Sequence, residues 1–170
     1  MQNVKVKKIT RAGIIASLYT VTTLLTMPVA SGAVQIRIGE ALTLLPLLYV
    51  ESIPALFVGC ILSNLISGCA FFDIVFGSLI TLFASVLTFL TGKIIKNTPL
   101  KIIVGGLFPV LLNAFLLPLI WVYCYGALEY IYGIQALLLI AGQGVSVYLI
   151  GSPLVVQIKK YKNKNVGFLQ

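Results

Sequence analysis

Long apolar runs broken by short polar stretches set the pattern of this chain. A helix that crosses a bilayer needs about 20 predominantly apolar residues, within a range of about 17–25. On that criterion the pattern predicts six helical segments. The first runs from about Arg11 to Met27 and stops at Pro28. The second, about Gln35 to Val50, is the weakest, because its charge-free part is short and opens with Arg37 and Glu40. The third starts at Pro54, a residue favoured in a helix's first turn, and ends near Gly68. The fourth runs from Asp73, a residue type suited to an N-cap, to Thr91. The fifth extends from about Leu100 to Tyr123, with Pro109 and Pro118 placed to kink it, and the sixth from about Tyr132 to Ile158. The expected fold class is therefore all-α integral membrane, a compact six-helix bundle forming one membrane domain over 1–170. No internal repeat or broken-helix pair is visible, so the inverted-repeat plan of many secondary transporters is not supported.

The charges fall outside the apolar runs. Every Lys and Arg except Arg37 belongs to one of three clusters: Lys5, Lys7, Lys8 and Arg11; Lys93, Lys96 and Lys101; and Lys159, Lys160, Lys162 and Lys164. Six spans bring all three clusters, with the basic tails 1–10 and 159–170, to one side. The excess of basic residues in cytoplasmic loops then predicts that both termini are cytoplasmic. A re-entrant hairpin of segments two and three, leaving four spans, gives the same sides. Trp121, Tyr123, Tyr125, Tyr130 and Tyr132 gather at the opposite end, as an interfacial aromatic belt does.

Composition narrows the class. The chain is 59% hydrophobic and 9% charged, against about 45–50% and about 25% in soluble domains, and the apolar residues run along its whole length. No room is left for a soluble catalytic domain. A net charge of +8 suggests nucleic acid only until the clusters are seen to flank apolar spans, where anionic lipid and membrane orientation explain them. The three cysteines, Cys60, Cys69 and Cys124, have no metal-like spacing, and there is no His, so neither a disulfide framework nor a zinc site is implied. The amino-terminal basic and apolar stretch followed by Ser31-Gly32-Ala33 imitates a secretory signal. In a chain that goes on crossing the membrane, the first segment is expected to stay.

Polar side chains at bilayer depth are the candidates for function, since a central charge costs about 2.5–3.5 kcal/mol on insertion scales. Arg37 and Glu40, three residues apart, share a helix face. They either close a helix end as an interfacial ion pair or line a cavity together. Asp73, Gly77, Thr81 and Ser85 recur every fourth residue in segment four, and small or hydroxyl residues so spaced ordinarily mark helix packing. Asp73 adds a charge to that stripe. Gly59, Ser63 and Ser67 form a packing edge in segment three with Asn64 beside them; Asn113 and Gln143 are the amides of segments five and six. Amides from three segments point to a shared cavity. Glu51 is expected in a solvated cytoplasmic turn and Glu129 in the outer loop. Ala12 and Ala16 have small-x-x-x-small spacing, which lets a second helix approach closely, within the chain or from a partner.

No phosphate-cradling G-x-x-x-x-G-K-[ST] loop is present, and no nucleophile–base pair is possible through His. ATP-driven transport by this chain thus requires an ATPase on another polypeptide. The competing classes are a membrane enzyme or chaperone acting on lipids, and an autonomous proton-coupled secondary transporter of a small polar metabolite, with Glu40 or Asp73 carrying protons.

Three stretches carry a resemblance: Gln35-Ile-Arg-Ile-Gly-Glu-Ala-Leu-Thr-Leu-Leu-Pro46, Gly59-Cys60 with Asn64, and Asp73-Ile-Val-Phe-Gly-Ser-Leu-Ile-Thr-Leu82. They resemble the QueT family, substrate-binding S components of energy-coupling factor (ECF) transporters assigned to precursors of the modified nucleoside queuosine. The resemblance covers about residues 10–158 and is diffuse after Leu100. It implies a six-helix bundle in the plasma membrane with an outward-opening pocket, a transmembrane scaffold subunit and two cytoplasmic ATPases as partners, and no cofactor. It also implies that Ala12 and Ala16 match the Ala-x-x-x-Ala scaffold contact of S components, and that the bundle topples to deliver its ligand.

The ligand class implied is a 7-deazaguanine, such as 7-aminomethyl-7-deazaguanine or queuine. A carboxylate accepts paired N–H donors of a guanine-type pyrimidine edge, and charge-assisted bonds are the stronger kind. On this reading Glu40 takes that edge, Arg37 orients Glu40 or donates to the ring carbonyl, Asn64, Asn113 and Gln143 meet the other polar atoms, and Asp73 meets an exocyclic amine. Phe71, Phe72, Trp121 and Tyr132 are candidates for stacking or a lid. The chain departs from the family at Ala-Gly-Gln143-Gly, where relatives often carry Glu; an amide offers a donor and an acceptor in place of a charge.

Overall fold

The weakest of the predicted segments forms the centre of the molecule. The computed structural model describes residues 2–30, 34–126, 128 and 130–167, and among them it is helical with no strand. Helix α1 spans Gln2–Leu25 and a short α2 spans Met27–Ala30. A 3₁₀ helix then covers Ile38–Leu47, followed by α3, Ser52–Ile66, and α4, Phe71–Ile94. Helix α5 covers Thr98–Tyr125. The last rod is α6, Tyr132–Gly144, continued through a π-helical turn, Val145–Gly151, into α7, Ser152–Gly167. Ser31–Ala33 and Glu129 lie outside the described residues.

Gly39 to Leu47 are all buried, so the 3₁₀ helix meets protein on every side rather than lipid on one. It touches α1, α3, α4, α5, the π-helical turn and α7. The tighter winding of a 3₁₀ helix, rising about 2.0 Å per residue, gives ten residues a length of about 20 Å, short of the ~30 Å hydrocarbon core. Segment two is thus an enclosed central rod and not an ordinary α-helical span. Pro46, which has no N–H to give, lies inside it, and Thr43 Oγ1 donates back to the Glu40 carbonyl at 2.6 Å. Its apolar residues join Ile15 and Tyr19 of α1, Leu56 and Cys60 of α3, and Val147 in one core cluster.

Among the described residues three helices are long and apolar enough to cross a membrane: Phe71–Ile94, Thr98–Tyr125 and the continuous rod Tyr132–Lys162. Helix α3, at 15 residues and about 1.5 Å each, is shorter. With the apolar half of α1 these elements fit a six-helix membrane bundle. Local chemistry sets the ends. The Asn97 side chain caps α5 by accepting from the Leu100 N–H at 3.4 Å, and Gly126 closes it with a left-handed φ of 68°. Asp73 is not the N-cap of α4. Ala70 holds that position and makes no side-chain cap bond, which leaves the Asp73 carboxylate to reach across to α5.

Helix α1 packs along α3 at Gly59. A Cβ built there meets the Ala16 carbonyl oxygen at 3.0 Å and Tyr19 Cβ at 3.1 Å, so any side chain would have to push α1 back by a few tenths of an ångström. Ala12 and Ala16 are half-buried and pack against the core. Their spacing serves a contact within the chain, and on the helix's other side Gly13 and Ser17 are exposed. The basic ends meet as the charge pattern predicts: Lys8 and Arg11 of α1, Lys93 of α4 and Lys162 of α7 surround one hollow.

Candidate solute-binding site

At the other end of the bundle, a cavity of about 210 Å³ is walled by residues from five parts of the chain. The extended stretch before the 3₁₀ helix supplies Gln35 and Arg37, and that helix's first turn supplies Glu40. Helix α3 and the turn after it give Cys60, Asn64 and Cys69, and α4 gives Asp73, Gly77 and Thr81. Helix α5 contributes Asn113, Leu117 and Trp121, and α6 contributes Gln143. The size suits a small metabolite, being below the about 300–1,000 Å³ of drug-sized pockets. Asp73 stands at the start of α4 and Lys93 in its last turn, so the cavity and the basic hollow occupy opposite ends.

Arg37 and Glu40 face this cavity together but do not pair; the ion pair formed among the described residues is Arg11 with Glu51. Glu40 is instead held by α1: the Tyr19 hydroxyl, wholly buried, donates to Glu40 Oε1 at 2.5 Å. The second oxygen, Glu40 Oε2, is buried without a hydrogen-bond partner, and so are Gln35 Oε1 and Gln143 Oε1. A buried acceptor left unpaired costs about 1–3 kcal/mol. Three around one hollow define a place for a donor-rich solute.

Two features fix the wall beside Gln35. Its backbone sits at a φ of 45°, left-handed and unfavourable for a residue with a side chain, which aims the 34–37 stretch across the top of α6. Gly142 accommodates that crossing, since a Cβ there falls 1.7 Å from the Val34 carbonyl oxygen. Separated from Gln143 by one residue, the π-helical turn begins at Val145 and packs against the 3₁₀ helix. Single π-helical turns within α-helices often accompany functional sites.

Asp73 ties α4 to α5 at the rim. Its Oδ1 accepts from Trp121 Nε1 at 2.8 Å and its Oδ2 from the Tyr125 hydroxyl at 3.3 Å. Asn64 Nδ2 donates to the Asp73 carbonyl at 3.3 Å, which fixes the end of α3 on the start of α4. Thr81 is buried, donating to the Gly77 carbonyl at 3.0 Å and lying 3.5 Å from Cys60 Sγ. The fourth-residue stripe of α4 therefore walls the cavity with Asp73, Gly77 and Thr81, while Ser85 is buried in packing.

The structure brings Arg37, Glu40, Asn64, Asp73, Asn113, Trp121 and Gln143 to one cavity. It does not bring Phe71, Phe72 or Tyr132 there. Phe71 is 72% exposed, Phe72 turns its ring to Phe76 and Tyr125 outside the bundle, and the Tyr132 hydroxyl donates to the Phe115 carbonyl at 2.8 Å. Sequence reasoning missed Tyr19, Gln35, Cys60, Cys69 and Leu117 at the site, and read Gly77 and Thr81 as helix packing. Gln35, a polar residue two before Arg37, and Cys60 stood in the stretches that carry the family resemblance.

A bundle of membrane-length apolar helices that encloses a small polar cavity with unpaired acceptors suits a membrane transport protein. The family model described as QueT transporter matches residues 9–160. The chain belongs to that family. No curated protein and no solved structure matches it.

Proposed function

We propose that this chain is the substrate-binding S component of an ECF-type importer in the plasma membrane, taking a queuosine precursor of the 7-deazaguanine class. The observation that carries the reading is the set of unpartnered acceptors, Glu40 Oε2, Gln35 Oε1 and Gln143 Oε1, around one cavity. A guanine-type edge supplies adjacent N–H donors to such a set. Glu40 accepts that edge, and Arg37, which has no ion pair with Glu40, donates to the ring carbonyl. Asn64, Asn113 and Gln143 read the remaining polar atoms. Asp73 takes the exocyclic ammonium of an aminomethyl arm, with the Trp121 indole beside it as an aromatic face.

The basic end faces the cytoplasm in this reading, by the positive-inside rule, and the cavity opens outward. The chain hydrolyses no ATP itself. A transmembrane scaffold and two cytoplasmic ATPases energise it, α1 docks on the scaffold through Gly13, Ser17 and the open edges of Ala12 and Ala16, and the bundle topples to release its solute.

Calorimetric titration of the detergent-purified chain with 7-aminomethyl-7-deazaguanine tests this. Binding is expected in the wild type, and Glu40→Gln loses one charge-assisted bond of about 1.5–3 kcal/mol, about ten- to a hundredfold in affinity. Unchanged affinity in that variant removes Glu40 from the site; no binding by the wild type removes the ligand class.

A further inference from the structure

The turn between the 3₁₀ helix and α3 opens into a second hollow, larger than the first at about 670 Å³, at the far end of the bundle. Its floor is apolar, made by Leu48, Val50 and Phe89, with the Tyr49 ring in the middle. Its polar groups are unequal in sign. Lys8, Arg11, Lys93 and Lys162 face one carboxylate, Glu51, and Arg11 already occupies that carboxylate by donating to Glu51 Oε1. The guanidinium carbon of Arg11 also sits 4.1 Å from the centre of the Tyr49 ring, with Lys162 Nζ 5.3 Å from the same centre. Lys93 Nζ lies 4.6 Å from the Phe89 ring. Among the described residues Lys8, Lys93 and Lys162 have no carboxylate partner.

Cations drawn from three separate helices around one hollow repel one another unless an anion sits between them. The aromatic faces beneath them soften that repulsion only in part. A free inorganic anion satisfies the lysines but gives no occupant to the apolar floor, where Val50 is 45% exposed. An amphipathic anion satisfies both. We infer that this hollow binds one anionic phospholipid, its phosphate among Lys8, Lys93 and Lys162 and the head of its acyl chains over Leu48, Val50 and Phe89. Basic pockets between membrane helices take anionic headgroups in this way, each Lys near the surface adding to the attraction. The inference is independent of which solute the other cavity holds.

Native mass spectrometry of the purified chain, titrated with phosphatidylglycerol or with phosphatidylcholine, tests it. One phosphatidylglycerol is expected to stay bound, preferred at least about tenfold over phosphatidylcholine. The triple variant Lys8→Gln, Lys93→Gln, Lys162→Gln loses that preference. A control with the same charge removed elsewhere, Lys5→Gln, Lys7→Gln, Lys164→Gln, keeps it. All these lysines are exposed and both variants leave Arg11 on Glu51, so matching unfolding midpoints serve as the check on folding. Equal loss in the control reduces the effect to diffuse charge and overturns the site. Displacement of the lipid by millimolar inorganic phosphate overturns the lipid in favour of a small anion. Retained lipid in the cleft variant, with co-purification of energising subunits lost, overturns it in favour of a protein contact.

Discussion

The hydroxyl of Tyr19 on α1 donates to Oε1 of Glu40 on the 3₁₀ helix at 2.5 Å, both side chains being shut off from solvent. A carboxylate held by one oxygen in an apolar core has its orientation fixed, and the other oxygen, buried without a partner, stays beside the cavity that Glu40 lines. Tyr19→Phe removes the hold and leaves both oxygens unpaired. Solute affinity is expected to fall by about 1.5–3 kcal/mol, or about ten- to a hundredfold, read by calorimetry. An unchanged dissociation constant shows that Glu40 needs no such support.

Asp73 distinguishes solutes by charge. In Asp73→Asn the amide oxygen still accepts from Trp121 and the amide N–H donates to the Tyr125 hydroxyl, which turns from donor to acceptor, while the negative charge is gone. The aminomethyl deazaguanine is expected to weaken about tenfold or more, and its uncharged nitrile counterpart to change little. Parallel titrations give the ratio; equal losses for both ligands place the ammonium elsewhere.

Gly142→Ala puts a methyl group where the Val34 carbonyl now lies. The 34–37 stretch must lift, carrying Gln35 and Arg37 with it, so solute binding is expected to drop sharply and thermal stability to fall as well. Overpacking commonly costs about 1–3 kcal/mol. A variant that binds normally shows that this stretch contributes nothing to affinity.

On α1 the two sides of the helix separate folding from docking. Gly59→Val drives a side chain into the backbone at Ala16 and into Tyr19, and is expected to lower the unfolding midpoint and solute affinity together. Ser17→Trp, on the exposed side, is expected to leave binding intact and abolish uptake by cells carrying the partner subunits. Normal uptake in Ser17→Trp moves the docking surface off this helix.

Much of the site was legible because the bilayer penalises polarity: Asn64, Asn113 and Gln143 stand out in apolar sequence, and each indeed faces the cavity. Cys60, though part of a resemblance-carrying stretch, and Cys69 were not assigned to the site because sulfur reads as one more apolar side chain. Phe72 misled for a rotational reason. Successive helical residues point about 100° apart, so at a helix start the neighbour of a cavity-facing Asp73 can face lipid. Segment two was recognisable as apolar and short, yet nothing in its composition distinguishes a lipid-facing span from a 3₁₀ rod enclosed by other helices. That outcome depends on contacts from residues as distant as Ile15 and Val147.

The enclosed rod limits how a bound solute gets out. From Gly39 to Leu47 it has no free flank on which to swivel, so Glu40 cannot swing aside by itself as a hinged flap does. Departure then requires either that the extended stretch from Gln35 to Arg37 and the rim at Asp73 give way, or that the molecule reorients as a whole and presents its mouth to different surroundings.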